Sequence, residues 1–131
     1  MTEPALRATL WIIAAIQLFL GLMMFLAPGT FFDEIGQYGI RNDHYIGDVG
    51  AFYLAAAFGV GMAAARPSWR VPILYVGAVW YALHALNHLF DIGQASSDGR
   101  GAFDTISLAL LAAGSWYLAA ASGRLRAAAA R

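Results

Sequence analysis

Apolar residues fall in four long runs, Ala8 to Phe32, Val49 to Ala65, Val71 to Phe90 and Thr105 to Gly123, and none contains Asp, Glu, Lys or Arg. Pro28 and Gly29 predict that the first helix stops near Ala27, because proline lacks the donor a helix needs and glycine favours its end. Each run then holds roughly 17 to 20 helical residues, which at about 1.5 Å per residue crosses a hydrocarbon core of about 30 Å. The pattern predicts one all-α domain over residues 1–131, an up-down antiparallel four-helix membrane bundle with spans near 8–27, 45–65, 71–91 and 104–122. The competing reading of the first run is a cleaved signal peptide. Its apolar part is longer than the usual 7 to 15 or so residues, and no small-x-small cleavage site follows.

Polar residues break the pattern at helical spacing. Positions i, i+3, i+4 and i+7 share a helix face, so His84, Asn87, His88 and Asp91 form one stripe at the end of the third span, continued inward by Tyr81, Trp80 and Gly77. The second span opens with His44 and Asp48 four residues apart and Tyr45 beside them. An ionisable side chain inside a span costs about 2.5 to 3.5 kcal/mol on insertion scales and usually faces a cavity or the bundle interior. These groups are therefore expected to meet in one pocket.

Charge gives the pocket a side. Four spans put the N-terminus, the link between spans two and three, and the C-terminus together, with Arg7, Arg66, Arg70, Arg124, Arg126 and Arg131 opposed only by Glu3. The other side has Arg41 and Arg100 against Asp33, Glu34, Asp43, Asp48, Asp91, Asp98 and Asp104. Basic residues in short loops mark the cytoplasmic side, so both termini are expected in the cytoplasm and the chain in a bacterial inner (plasma) membrane. All three histidines then face outward.

Three chemistries suit these residue types. His84 and His88 at i, i+4 can share a divalent metal, with Asp48 or Asp91 completing a two-His, one-carboxylate set, although H-x-x-N-H lacks the glutamate of the hydrolase signature H-E-x-x-H. Alternatively a carboxylate fixes an imidazole tautomer while a quinone, lipid or small polar molecule takes the remaining hydrogen bonds, with Trp80, Tyr81 and Phe52 as a flat apolar wall. Or the polar groups simply bond one another as interhelical glue, which in membranes averages only about 0.6 kcal/mol per contact. Haem fits poorly, since only His44 and one of His84 or His88 are available as axial ligands and both lie near the outer surface. The function classes left open are a binding protein or accessory subunit, and a metal-dependent or redox membrane enzyme.

Small residues at Gly47, Ala51, Ala55, Gly59 and Ala63 predict a close helix contact, within the bundle, in a homo-oligomer or with a membrane-complex partner. Gln17 is expected to point inward, because an amide is costly to leave in lipid, and to make one interhelical hydrogen bond. The link from Pro28 to Asn42 mixes Phe31, Phe32, Ile35 and Tyr38 with acidic residues, predicting a short amphipathic piece bent at Gly36 and Gly39. It reads as an aromatic-anchored loop or as a lid over the polar cluster, and Asn42 or Asp43 is expected to cap the following helix. The terminal RAAAAR reads as a frayed tail.

Composition agrees with the apolar pattern: 60% of residues are hydrophobic, 12% are charged and the mean hydropathy is +0.60, where a soluble domain carries about 25% charged residues. With no cysteine in the chain, disulfides and thiol chemistry are excluded. The few basic residues act as topology signals, and nucleic acid is not an expected partner. Finally, LGLMMFLAPGTFF at the end of span one, followed by a loop and GDVGAFYLAAAFGVGMAA, resembles the DoxX-like superfamily of small four-span bacterial membrane proteins. The resemblance implies a four-helix membrane bundle. It leaves activity open, since members with assigned roles serve quinone-dependent sulfur oxidation or disulfide-related maturation.

Overall fold

The computed structural model describes residues 1–130; Arg131, counted above among the basic residues, lies outside the described residues. Five α-helices follow in order: α1 (Glu3–Leu26), α2 (Pro28–Glu34), α3 (Asp43–Ala65), α4 (Pro67–Phe90) and α5 (Asp98–Ala129), with one 3-10 turn at Ile92–Gln94 before the last. Four of them, all but α2, are long and apolar enough to cross a membrane. Among the described residues there is no strand, only one isolated antiparallel bridge between Tyr38 and Ala95.

Local signals set the boundaries. The side chain of Thr2 accepts from Ala5 N at 3.4 Å to cap α1, Asn42 caps α3 through Tyr45 N at 3.2 Å, and Ser97 caps α5 through Arg100 N at 3.2 Å. Each takes up one of the amide donors a helix start leaves unmet. α1 stops at Leu26 and Pro28 opens α2, since the missing N–H costs nothing in a first turn. The helices overrun the predicted spans by as many as six or seven residues at polar ends: a span is measured by its apolar stretch, while a helix continues until a cap or proline ends it. The predicted frayed tail is one such overrun, being helical through Ala129.

α1 packs along α3 and α4 along α5, with α3 against α4 joining the two pairs. A dry core at the terminal end combines Leu6 and Leu10 of α1, Val60, Ala63 and Ala64 of α3, Leu74 of α4, and Leu118 and Ala119 of α5. These residues come from the starts of α1 and α4 and the ends of α3 and α5, so successive long helices alternate in direction.

Close backbone approach is confined to particular glycines. A Cβ on Gly50 would stand 2.9 Å from Met24 Cβ and 3.0 Å from Phe25 N, and one on Gly21 would stand 3.0 Å from Leu54. Without side chains there, α1 and α3 touch and gain dispersion contacts. Within one chain the small-residue stripe read from the sequence is buried only in part. Gly59 and Ala63 are buried, but Ala51 and Ala55 are exposed and nothing lies within 4 Å of a Cβ on Gly47. The buried face of α3 runs instead through Gly50, Ala57 and Ala64, a seven-residue repeat that a search for four-residue intervals passes over.

Arg70 does more than the sequence reading assigned it. Treated as an orientation signal, it is only 4% exposed. Its guanidinium holds both Glu3 oxygens at 2.7 and 2.8 Å while Nε donates to the Ala63 carbonyl at 3.0 Å, tying α1, α3 and α4 together.

At the opposite end the two connecting segments form a roof. Gly39 N donates to Gln94 O at 3.0 Å, Ser96 N to Gln37 O at 3.1 Å, and Ser96 Oγ to Gln37 Oε1 at 3.0 Å. Gly39 takes φ +57°, a left-handed turn that glycine adopts at no steric cost. Arg100 of α5 donates to the Ile35 carbonyl and to Asp104 Oδ2 at 3.1 Å, fastening the roof to the last helix.

Candidate functional site

Beneath this roof lies a cavity of about 350 Å³, lined by Met24 from α1, by Phe31, Ile35, Gly36 and Tyr38 from α2 and the segment after it, by Tyr45, Ile46, Val49 and Tyr53 from α3, by His84 and His88 from α4, and by Asp104, Ser107 and Leu108 from α5. Five elements thus converge on it.

The histidines face each other, His84 Nε2 to His88 Nε2 at 3.1 Å, and the Tyr38 ring meets the His88 ring edge-on with centroids 4.4 Å apart. Three polar atoms are buried here without a protein partner: Nδ1 of His84, Nδ1 of His88 and the Tyr38 hydroxyl. Burial and, next, the Asp104 carboxylate push the Tyr38 phenol above its ordinary pKa, so it keeps its proton at neutral pH. Asp104 itself is fixed by Arg100, with side chains 19% and 26% exposed.

The tautomers of the histidine pair follow from its geometry. In a neutral pair one Nε2–H donates to the other Nε2. A neutral imidazole carries one proton, so the donating ring has a bare Nδ1 and the accepting ring has Nδ1–H. The pair therefore exposes one acceptor and one donor to its surroundings, and exchanging the tautomers only swaps which residue supplies which.

The single pocket predicted from the sequence is in fact divided. His84, His88 and Tyr45 line the cavity under the roof. Trp80 and Tyr81, with Phe52, line a second, deeper cavity of about 210 Å³ between α3 and α4. His44, Asp48, Asn87 and Asp91 line neither cavity. His44 and Asp48 approach each other at 3.6 Å with side chains 83% and 63% exposed, and Asn87 and Asp91 are exposed as well.

Helix phase explains the division. The buried stripe of α4 is Leu74, Ala78, Tyr81 and Ala85. At about 100° per residue, His88 lies some 60° from Ala85 and His84 some 100° in the same sense, together on one flank, while Asn87 lies roughly 160° away. Asp91 is already the C-terminal cap. On α3, Asp48 precedes the buried Ala57 by nine residues, two and a half turns, and so sits on the opposite face.

Two of the three chemistries lose the contacts they called for. The interhelical glue is absent, because each close pair, His44 with Asp48 and His84 with His88, lies within one helix. The set His84, His88, Asp48 and Asp91 does not assemble, and among the described residues no group of three or more His, Asp or Glu side chains is placed to hold a metal ion. Sequence reasoning passed over Ser107, one helical turn after Asp104 in α5, and reached Tyr38 only as part of a link read as a loop or lid. Asp104 was legible as an acid at the depth of the histidines, with Arg100 four residues before it.

Gln17 behaves as expected: it is 7% exposed and its Nε2 donates to the Tyr81 hydroxyl at 3.2 Å. Comparison of the chain with protein-family models, with curated proteins and with solved structures found no match.

Proposed function

We propose that this chain is a multi-pass inner-membrane protein, a four-helix bundle with cytoplasmic termini, whose outward pocket binds a small amphipathic molecule by its polar head. The observation that carries the reading is the trio of buried, unpartnered polar atoms at His84, His88 and Tyr38 around one cavity. Buried polar groups in folded proteins are almost always satisfied, so unmet ones around a cavity favour a bound partner.

The membrane part of the reading is supported by the four long apolar helices and, among the described residues, by five basic residues at the terminal end against two at the other. The head group suited to the site has an acceptor and a donor in reach of each other, matching the donor and acceptor of the histidine pair, with Tyr38 supplying a further hydroxyl. Quinol rings and amine-bearing phospholipid heads share that chemistry, and the loose DoxX-like resemblance is compatible with either. The pocket residues bind and orient; the protein acts as a ligand carrier or as an accessory subunit in a membrane complex.

The test uses purified protein in phosphatidylcholine nanodiscs, with a short-chain quinol in one arm and a short-chain phosphatidylethanolamine in the other, followed by calorimetry. Binding in one arm that is lost in His84→Ala and in His88→Ala, with helicity and monodispersity unchanged, supports the proposal and tells the sources apart. Binding in neither arm, or binding indifferent to both variants, refutes it. Metal analysis and a visible absorption spectrum of the same sample show whether a bound metal or chromophore accounts for the site instead.

A further inference from the structure

We infer that the deeper cavity is a separate binding site, open to the bilayer, for a neutral lipophile that carries one ring and one hydroxyl group. It shares only Tyr53 with the cavity under the roof. The inference rests on the membrane reading and is independent of what the outer pocket binds.

Depth comes first. Gln17 lies nine residues before Leu26 in α1, Tyr53 ten after Asp43 in α3, and Tyr81 nine before Phe90 in α4, which places all three about 14 to 15 Å from the roofed ends of their helices. In a hydrocarbon core about 30 Å thick that is the midplane. The polar lining consists of these three neutral groups, and Ala55, Phe52, Val76 and Trp80 complete an apolar wall. No charged side chain is among them, so an ionic ligand would find no counter-charge. Val76 is 62% and Phe52 37% exposed, on what is then the lipid-facing surface, and entry is sideways from the membrane.

Gln17 supplies the specificity. It is more than nine-tenths buried, its Nε2 is engaged by Tyr81, and its Oε1 has no partner. Turning the amide over reverses the roles: Oε1 would accept from Tyr81 and the NH₂ would be left unmet. A hydroxyl both donates and accepts, so it satisfies Gln17 in either orientation, whereas a ketone or ether suits only one. Size completes the description. A dry cavity of about 150 Å³ holds benzene, so about 210 Å³ accommodates a single substituted ring beside Trp80, which stacks on Phe52 with centroids 4.0 Å apart. An alkylphenol meets each requirement.

The experiment uses full-length protein in nanodiscs carrying Trp11→Phe, Trp69→Phe and Trp116→Phe, so that Trp80 reports alone. 4-Propylphenol and propylbenzene are titrated at matched membrane concentrations. Saturable quenching by the phenol, about tenfold tighter than by propylbenzene as expected for one buried hydrogen bond, together with loss of that preference in Gln17→Leu, supports the inference. Equal affinities, a signal linear in probe, or a preference that survives Gln17→Leu overturns it. Should Gln17→Leu not fold, Ala56→Phe fills the cavity and must abolish saturation. The preference should persist in His84→Ala, so failure of the outer site and failure of this one are read separately. Extraction of the protein by alkaline carbonate would mark failure of the membrane reading itself.

Discussion

The two ends of the molecule treat polar groups in opposite ways. At the terminal end Arg70, a full charge, is buried, and its guanidinium is engaged by Glu3 and the Ala63 carbonyl beside a core of Leu6, Leu10, Leu74 and Leu118. At the roofed end, neutral groups of lower solvation cost sit around a cavity with their hydrogen-bonding atoms unmet. Burial alone does not mark a site. What separates the two is satisfaction: a group buried with its partners contributes to the fold, and a group held without them costs stability that the fold recovers elsewhere.

The largest effect that would break this contrast is at the terminal end. Arg70→Ala should cost about 3 kcal/mol, because it removes both the ion pair and the Ala63 contact; Glu3→Gln should cost a comparable amount, since it leaves the guanidinium, 4% exposed, without its counter-charge. Thermal unfolding in detergent measures both, and a shift for Arg70→Ala no larger than that of an exposed control such as Arg66→Ala would remove the structural role. Next comes the helix contact: Gly50→Ala should destabilise by about 1 to 3 kcal/mol through overpacking against Met24 and Phe25, whereas Gly47→Ala, with nothing within 4 Å, should stay within about 0.5 kcal/mol. Equal effects would mean that α1 and α3 do not approach as described.

At the roofed end the same measurement should give little. His84→Ala and His88→Ala are expected to change stability by less than about 1 kcal/mol, since neither ring bonds another helix, while abolishing ligand binding; His44→Ala and Asp48→Ala should leave both unchanged. A large stability loss in the histidine variants would return them to a structural role. The smallest effect is kinetic. Arg100→Ala removes the tie to the Ile35 carbonyl, so amide exchange over residues 35–38 should rise several-fold with little change in midpoint, and an unchanged exchange rate would show that the loop pairing holds the roof without it.

The number of long helices, the helix boundaries at Ala27 and Asn42, and the inward turn of Gln17 are legible in the sequence, whereas the start of α4 at Pro67, four residues before the predicted span, is not. Apolar length, caps and prolines act over a few residues, and an amide has few tolerable places in an apolar helix. The candidate site was legible only in part. Periodicity put His84 and His88 on one stripe with Asn87 and Asp91, but it gives angles between residues of one helix and not the angle at which that helix meets its neighbours.

The sequence by itself therefore determined four apolar helices, their charge asymmetry and a polar end away from the termini, because each depends on local chemistry summed along the chain. Which face of α4 is buried, whether His44 meets His84, and that Tyr38 and Asp104 join the histidines while Trp80 and Tyr81 serve a different cavity were decided by tertiary packing. Glycine contacts set the rotation of α3 on α1, and the pairing of two loops carried Tyr38 over the pocket; both bring together residues dozens of positions apart, and no local pattern encodes that distance.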